Sequence, residues 1–384
     1  MKTKRQHCIQ TARRIVVKVG SNVLATGDGL NIYVIRSISR QICRLKDRGL
    51  EVILVTSGAM AVGMKKIGLT TRPKDTPGRQ AASAVGQAGL IMEYEHAFDR
   101  YGLKVAQVLL TSDDLNDRKR YLNSRNTLYS LLGWNVIPII NENDTVKVES
   151  IQFGDNDNLA AMITLLMDAD FYINLTDIDG LYTRDPRRHD DAALIPVVTV
   201  IDEKIRNIAG RIPGELGTGG MQTKIRAAAK VTAVGTPMVI ANGSREDTLL
   251  RLFDGDDLGT FFVPREKRLA RRKCWIGYSA RPEGILHLDA GAATAIVKGG
   301  KSLLPSGITG VDGDFGIGAP VECRAPDDTA LGVGLVNYRA RDIRQIMGLQ
   351  TRQLAAVLSD PPYDEVIHRD NLTITANEET AYVH

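Results

Sequence analysis

The chain has 384 residues, enough for two average domains, and its 43% hydrophobic and 24% charged content is that of globular proteins rather than disordered ones. Its 49 basic residues against 45 acidic ones leave a net charge of +4, too mild an excess to demand a nucleic-acid partner. Cys8, Cys43, Cys274 and Cys323 lie far apart with no CxxC pair, which argues against a disulfide framework or a zinc site and fits a reducing cytosol.

The basic N-terminus MKTKRQHCIQTARR is followed by an apolar run that Lys18 breaks after three residues, so the core of a signal peptide is lacking. No stretch approaches the roughly 18 apolar residues of a membrane span. The expectation is a cytoplasmic protein with no membrane partner. From residue 14 onward, short apolar runs alternate with helical patterns. The strand candidates are RIVVKVG (14–20), EVILVTSG (51–58), LKVAQVLLT (103–111), NVIPIINEN (135–143), FYINLTD (171–177) and TPMVIANG (236–243). Their runs of Val, Ile and Leu suit strands buried on both faces. Ile32, Ile35, Ile38, Ile42 and Leu45 recur at helical spacing, and Gly49 closes that helix. Further helices are predicted over 78–100, 117–132, 158–167 and 221–234. Such alternation predicts an α/β fold with a mostly parallel sheet sandwiched by helices, whose ligands gather at the carboxyl ends of the strands.

Past Phe261 the texture changes. PREKRLARRK (264–273) reads as a solvated linker, and the Gly-rich short runs that follow predict a small β-barrel-like domain. The expected boundaries are 10–263 for the first domain, 264–274 for the linker, 275–360 for the second domain, and 361–384 for a loosely held polar tail.

Three features of the first domain attract anions. Lys18 stands at the end of the first strand, where its ammonium either snorkels from an edge or emerges toward a partner. Ser57-Gly58 stands at a strand-to-helix junction, which serves equally as an ordinary cap or as an anion site. In GTGGMQTKIRAAAK (217–230), Gly217, Gly219 and Gly220 let backbone amides converge ahead of Lys224, although a flexible loop before a helix would look the same. Together, two lysines and two glycine-opened helix starts suit the charge that spreads during phosphoryl transfer. NENDTVKVESIQFGDNDNLAAM (141–162) adds dense Asn, Asp and Glu, open to reading as a metal site, a solvated loop or a pocket for something small and cationic.

Several tempting motifs fail. DFG (314–316) and HRD (368–370) occur in reversed order without the other protein-kinase elements. Asp155-Asn156-Asp157 lacks the glycine and terminal glutamate of a calcium loop. The sequons at Asn174 and Asn371 matter only in a secreted protein. No GxxxxGK[ST] loop occurs.

The order and spacing of VVKVGSNVL, VTSGA, SAVGQAGL, QVLLT, VIPIINEND, GDNDNLAA, LTDIDGLYTRDPR and GTGGMQTK resemble those of the bacterial glutamate 5-kinases, a branch of the amino acid kinase superfamily with a C-terminal PUA domain. DAGAATAIVKGGKSLLPSGI and VIHRDN extend the resemblance through the second domain. The departure at VGSNVL, after Lys18, keeps a hydroxyl at Ser21. The resemblance implies ATP-dependent phosphorylation of the γ-carboxylate of L-glutamate, the first step of proline synthesis, with proline as feedback inhibitor near residues 70–87. It implies catalytic roles for Lys18, Asp157 and Lys224, with Asp157 pairing both ammonium groups. Ser57, Asp144 and Asn156 would bind glutamate. Lys18, Thr176, Asp177 and the run Thr218, Gly219, Gly220, Met221, Gln222, Thr223 and Lys224 would contact ATP. Magnesium would arrive with the nucleotide, and no protein-held metal is implied. A homo-oligomer, dimer or tetramer, and handover of the product to glutamyl-phosphate reductase are also implied. PUA modules elsewhere bind RNA, but this one lacks a dense Lys/Arg face with interleaved aromatics, so RNA is not expected as a partner. Among related kinases, the NEND and GDNDN clusters favour a substrate with a free amino group over carbamate or N-acetylglutamate. An aspartate kinase would carry a different C-terminal region.

Overall fold

The computed structural model describes residues 2–26, 29–146, 155–210, 220–266, 282–358 and 363–375. By its internal contacts the chain divides into two compact units, residues 1–268 and 269–384. In the first unit the strands are β1 (Arg14–Val19), the short pair β2 (Ala25–Thr26) and β3 (Gly29–Leu30), β4 (Glu51–Val55), β5 (Val105–Leu110), β6 (Ile137–Glu142), β7 (Phe171–Thr176), β8 (Val197–Val198), β9 (Met238–Asn242) and β10 (Thr260–Phe262). The helices are α1 (Lys2–Thr11), α2 (Ser21–Leu24), α3 (Ile32–Asp47), α4 (Ala59–Ile67), α5 (Thr76–Asp99), α6 (Ser112–Asn116), α7 (Arg118–Gly133), α8 (Asp155–Leu166), α9 (Glu203–Gly210), α10 (Met221–Ala233) and α11 (Thr248–Phe253).

Eight of these strands form one sheet in the order β5-β6-β4-β1-β7-β9-β10-β8. It is parallel throughout except where β10 runs antiparallel to β9. The order turns at β1: the chain first builds outward on one side through β4, then returns to lay β7 on the other. At a reversal of this kind, open α/β sheets bind ligands beyond the carboxyl ends of the strands.

The period of two along β1 divides its residues between two cores. Ile15, Val17 and Val19 enter a cluster with Ile35, Ile42 and Phe98 from α3 and α5. Val16 faces the opposite cluster, built with Leu159 and Ile163 from α8 and Ile225 and Ala228 from α10. Lys18, two residues beyond Val16, shares that second face, as strand geometry requires. Both faces of the sheet are covered, which explains why the strands read as unbroken apolar runs.

The expected helices are present with small shifts at their ends, and α3 stops at Asp47, with Gly49 left-handed just beyond at φ +87°. The helix α1 was not foreseen in the basic N-terminus. It is held by Ile9, and by Arg5, whose guanidinium lies over the Phe261 ring and donates to the carbonyl oxygens of Asp256 and Leu258.

The helices α4 and α5 cross with backbones almost touching, through Gly63 and Gly86. A Cβ on Gly63 would stand 1.7 Å from the Ala82 carbonyl oxygen, and one on Gly86 only 1.8 Å from that of Ala59. No side chain can relax out of such a clash, because the obstructing atoms are backbone. The crossing also fixes where Ser83 and Gln87 of α5 point, which bears on the site below.

In the second unit, β11 (Gly284–Leu288), β12 (Ile308–Asp312), β13 (Pro320–Arg324), β14 (Ala330–Leu335) and β15 (Leu372–Ile374) form a five-stranded sheet in the order β12-β11-β13-β14-β15. The pair β11–β13 is parallel and the others antiparallel. The short strands expected here are thus present. Among the described residues, however, their ladders form a sheet with β12 and β15 at its edges. Part of the segment expected as a loose polar tail also belongs to this sheet. Val366, Ile367 and Leu372 are buried in its core, and β15 pairs with β14, because a few apolar residues suffice to dock a short strand. Most of the expected linker, from 267 onward, lies outside the described residues.

The Gly86→Ala variant should lose about 3 kcal/mol of stability to urea through overpacking. Gly133→Ala, whose added methyl meets nothing within 4 Å, should change stability by less than about 1 kcal/mol. Equal midpoints for the two variants would contradict this account of the α4–α5 crossing.

Candidate active site

Lys18, Asp157 and Lys224, far apart in sequence, meet at the carboxyl end of the sheet on the face covered by α8 and α10. Lys18 Nζ lies 2.6 Å from Asp157 Oδ1, and Lys224 Nζ lies 3.2 Å from Asp157 Oδ2. Their exposures are 4%, 0% and 5% for Lys18, Asp157 and Lys224, so water does little to screen these charges. Stripping a charge of water costs several kcal/mol, and a shared carboxylate recovers that cost only when its lone pairs are filled. Here they are. Thr223 Oγ1 donates to Oδ2 at 2.6 Å and Asn174 Nδ2 donates to Oδ1 at 2.8 Å.

Burial works against ionisation of Asp157. The ammonium groups of Lys18 and Lys224, with hydrogen bonds from Lys18 and Thr223, outweigh it and hold the carboxyl pKa far below its usual range. Its place in the first turn of α8 acts in the same direction, since the helix dipole favours a negative charge there. Burial pulls the Lys18 pKa below the ordinary lysine value by more than Asp157 restores, and repulsion from Lys224 adds to the fall. One carboxylate thus answers two ammonium groups, and the cluster keeps one positive charge in excess.

Each member sits on a rigid element. Lys18 is anchored in β1 between β4 and β7, in register with Val55 and Asn174. Lys224 lies one turn into α10, which opens at Gly220, and Thr223 Oγ1 also bonds back to the Gly220 carbonyl at 2.9 Å. Lys230, further along α10, donates to Asn158 Oδ1 at 2.6 Å and so ties α10 to α8, while burial pulls its pKa down to about 8.

A second polar group gathers beside the first. Asn156 Nδ2 donates to Ser57 Oγ at 3.0 Å and to Asn141 Oδ1 at 3.1 Å. Asn141 in turn donates to Gln87 Oε1 at 3.2 Å, so the α4–α5 crossing feeds directly into this network. Asn156 Oδ1 is buried with no hydrogen-bond partner among the described residues. Ser57 precedes Gly58, which is left-handed at φ +99° as it opens α4, a conformation that favours glycine. The structure therefore joins Ser57 and Asn156. Asp144 accepts a hydrogen bond from Ser83 of α5.

At the end of β7, Thr176 Oγ1 donates to Asp177 Oδ1 at 2.9 Å, and Asn22 Nδ2 donates to Asp177 Oδ2 at 3.2 Å. Beyond them Asp179 accepts hydrogen bonds from Asn242 and Arg245. Gly220 caps α10, Met221 is buried and Gln222 is exposed. Thr218 and Gly219 lie outside the described residues, as does Gly217. Among the described residues no group of three or more His, Cys, Asp or Glu side chains is placed to hold a metal ion.

Asn174, Tyr172, Asn141 and Gln87 were not singled out as site residues from the sequence. For Asn174 a signal existed, since an amide in the middle of an otherwise apolar central strand has to be satisfied by something.

The chain is a member of the amino acid kinase family. The profile of the amino acid kinase family matches residues 13–242, and that of the PUA domain matches residues 284–358. A glutamate 5-kinase of Syntrophus aciditrophicus is 50% identical over 374 residues, spanning 97% of each chain. Glutamate 5-kinases of Desulfotalea psychrophila and Meiothermus ruber are 48% and 47% identical, over 96% of this chain and 99% and 98% of theirs. The chain belongs to the glutamate 5-kinases.

Replacing Asp157 by Asn would leave two ammonium groups buried face to face, and should cost about 3–5 kcal/mol in urea unfolding at neutral pH. Because folding lowers the Asp157 pKa, its contribution is present above about pH 4 and is lost as pH falls toward the folded-state value. The stabilities of the wild type and the Asn variant should therefore converge as the pH is lowered below 4. A constant gap would contradict the pairing.

Proposed function

We propose that the chain transfers the γ-phosphoryl group of ATP to the γ-carboxylate of L-glutamate, giving L-glutamyl 5-phosphate at the start of proline biosynthesis. The observation that carries this reading is the pairing of two buried lysines on Asp157 at the strand ends, in a chain whose full-length relatives are glutamate 5-kinases. Residues 10–263 form the catalytic domain, 264–274 the linker and 275–360 the PUA domain in this reading, with β15 from the tail completing the second unit's sheet.

Lys18 and Lys224 face the oxygens of the transferring phosphoryl group, and Asp157 holds both ammonium groups in place so that neither reorganises during the reaction. The excess positive charge of the cluster suits the negative charge that spreads in the transition state. A carboxylate is already a nucleophile at neutral pH, so no general base is required. Glutamate binds at Ser57, Asn156 and Asp144. The unpartnered Oδ1 of Asn156 fits an ammonium donor, and Asp144 supplies a countercharge. ATP lies along Thr176, Asp177 and residues 218–224, where the start of α10 turns the positive end of its dipole toward phosphate. Magnesium enters as part of the nucleotide substrate.

Proline acts as feedback inhibitor through residues 70–87, the protein works in the cytoplasm as a homo-oligomer, and the labile acyl phosphate passes to glutamyl-phosphate reductase.

The test is ADP release with Mg-ATP and, in turn, L-glutamate, L-aspartate and N-acetylglutamate, with hydroxylamine present to trap acyl phosphate. Turnover with glutamate alone, yielding hydroxamate and falling with added proline, is the expected result. Folded protein that binds ATP yet turns over none of the three would overturn the assignment. Asp157→Ala should lower kcat about a hundredfold or more, with the glutamate KM changed less than about threefold. Parallel changes in both would instead make Asp157 a binding residue.

A further inference from the structure

We propose that Asn174 is a positioning residue for phosphoryl transfer, holding the Asp157 carboxylate in the plane that both lysines require. The inference rests on the kinase reading above. All six residues of β7 are buried, and Asn174 is completely so. An amide there is costly unless its polar atoms are matched. Only one side of it is. Asn174 Nδ2 donates to Asp157 Oδ1 at 2.8 Å and to Tyr172 Oη at 2.9 Å, whereas its Oδ1 has no hydrogen-bond partner among the described residues. A side chain kept only to fill the core would favour an apolar residue, as elsewhere along β7. This one retains a stranded acceptor in order to present its two donors.

The sheet register explains the placement. Asn174 on β7 is directly beside Lys18 on β1, and side chains in register on parallel strands point to one face. Lys18 and Asn174 therefore approach Asp157 Oδ1 together from the sheet, while Thr223 and Lys224 approach Oδ2 from α10. With Lys18 alone on Oδ1, the carboxylate could turn about its Cβ–Cγ bond and carry the ammonium out of position with it. A second donor of fixed direction, on a central strand, prevents that.

Tyr172, two residues earlier on the same face, supports Asn174 from behind. Its Oη accepts from Asn174 and lies 3.5 Å from the Asp157 carbonyl oxygen. Burial, and then the charge of Asp157, raise its pKa well above the ordinary phenol value, so it remains a neutral hydroxyl. The sequon Asn174-Leu175-Thr176 is thereby accounted for, since a completely buried asparagine cannot accept a glycan.

The experiment uses the full chain as wild type, Asn174→Leu, and the double variant Tyr172→Phe with Asn174→Leu. Steady-state ADP release is measured with glutamate and Mg-ATP, alongside the thermal midpoint. Asn174→Leu should lower kcat by about ten- to a hundredfold, as expected for a misplaced catalytic group, with both KM values within about twofold of wild type. It should also lower the thermal midpoint, because the Tyr172 hydroxyl loses its donor. The double variant removes that hydroxyl and should regain the midpoint while kcat stays low. If the single variant does not fold, the double variant carries the test alone. A double variant that recovers both midpoint and kcat would make Asn174 merely structural, and unchanged kcat or rising KM in Asn174→Leu would also overturn the proposal. Absence of turnover in the wild type would instead overturn the kinase reading, and this inference with it.

Discussion

The first unit is organised around a single carboxylate shared by two ammonium groups. Lys18 and Lys224 keep Asp157 ionised in the interior, and Asp157 in turn makes the two lysines tolerable there. The mutual dependence forces three separate parts of the chain into register: β1, the start of α8 and the start of α10. An error in any of them would leave a bare charge among Val16, Leu159 and Ile225, at a cost exceeding what most single apolar contacts contribute.

The apolar framework does more than surround that cluster. Alternation along β1 and β7 sends odd-numbered residues to one core and even-numbered ones to the other, so Lys18, Tyr172 and Asn174 reach the same face without special backbone geometry. The close crossing at Gly63 and Gly86 plays a comparable part on the neighbouring side. It sets α5 so that Gln87 reaches Asn141, and through it Asn156, while Ser83 meets Asp144. Packing that looks purely structural thus decides where the polar side chains converge.

Much of this was legible in the sequence. The apolar runs gave the strands because both sheet faces are covered, and the spacing of Ile32, Ile35, Ile38, Ile42 and Leu45 gave α3 because one face of that helix is buried. Lys18 and the glycine-opened start before Lys224 stood out because charge beside apolar runs demands an explanation. What escaped was relational. The meaning of Asn174 depends on strand register, which no local pattern contains, and it was visible only as a sequon. Gly63 and Gly86 look like ordinary helix-weakening residues until the two helices are laid across each other. The helix α1 and the strand β15 carry too few apolar residues to show a period, and each is defined by what it docks against.

The unequal count of charges in the cluster has its own consequence. With one anion between two cations, the fold holds a like-charge pair in a poorly screened interior, and Lys18 yields its proton more readily, first because it is buried and further because Lys224 repels it. In the proposed reaction a phosphate group at the strand ends would add a further counterion to this pair. Nucleotide binding would then ease a repulsion built into the fold, in addition to making new contacts, and part of the affinity for phosphate would come from that easing.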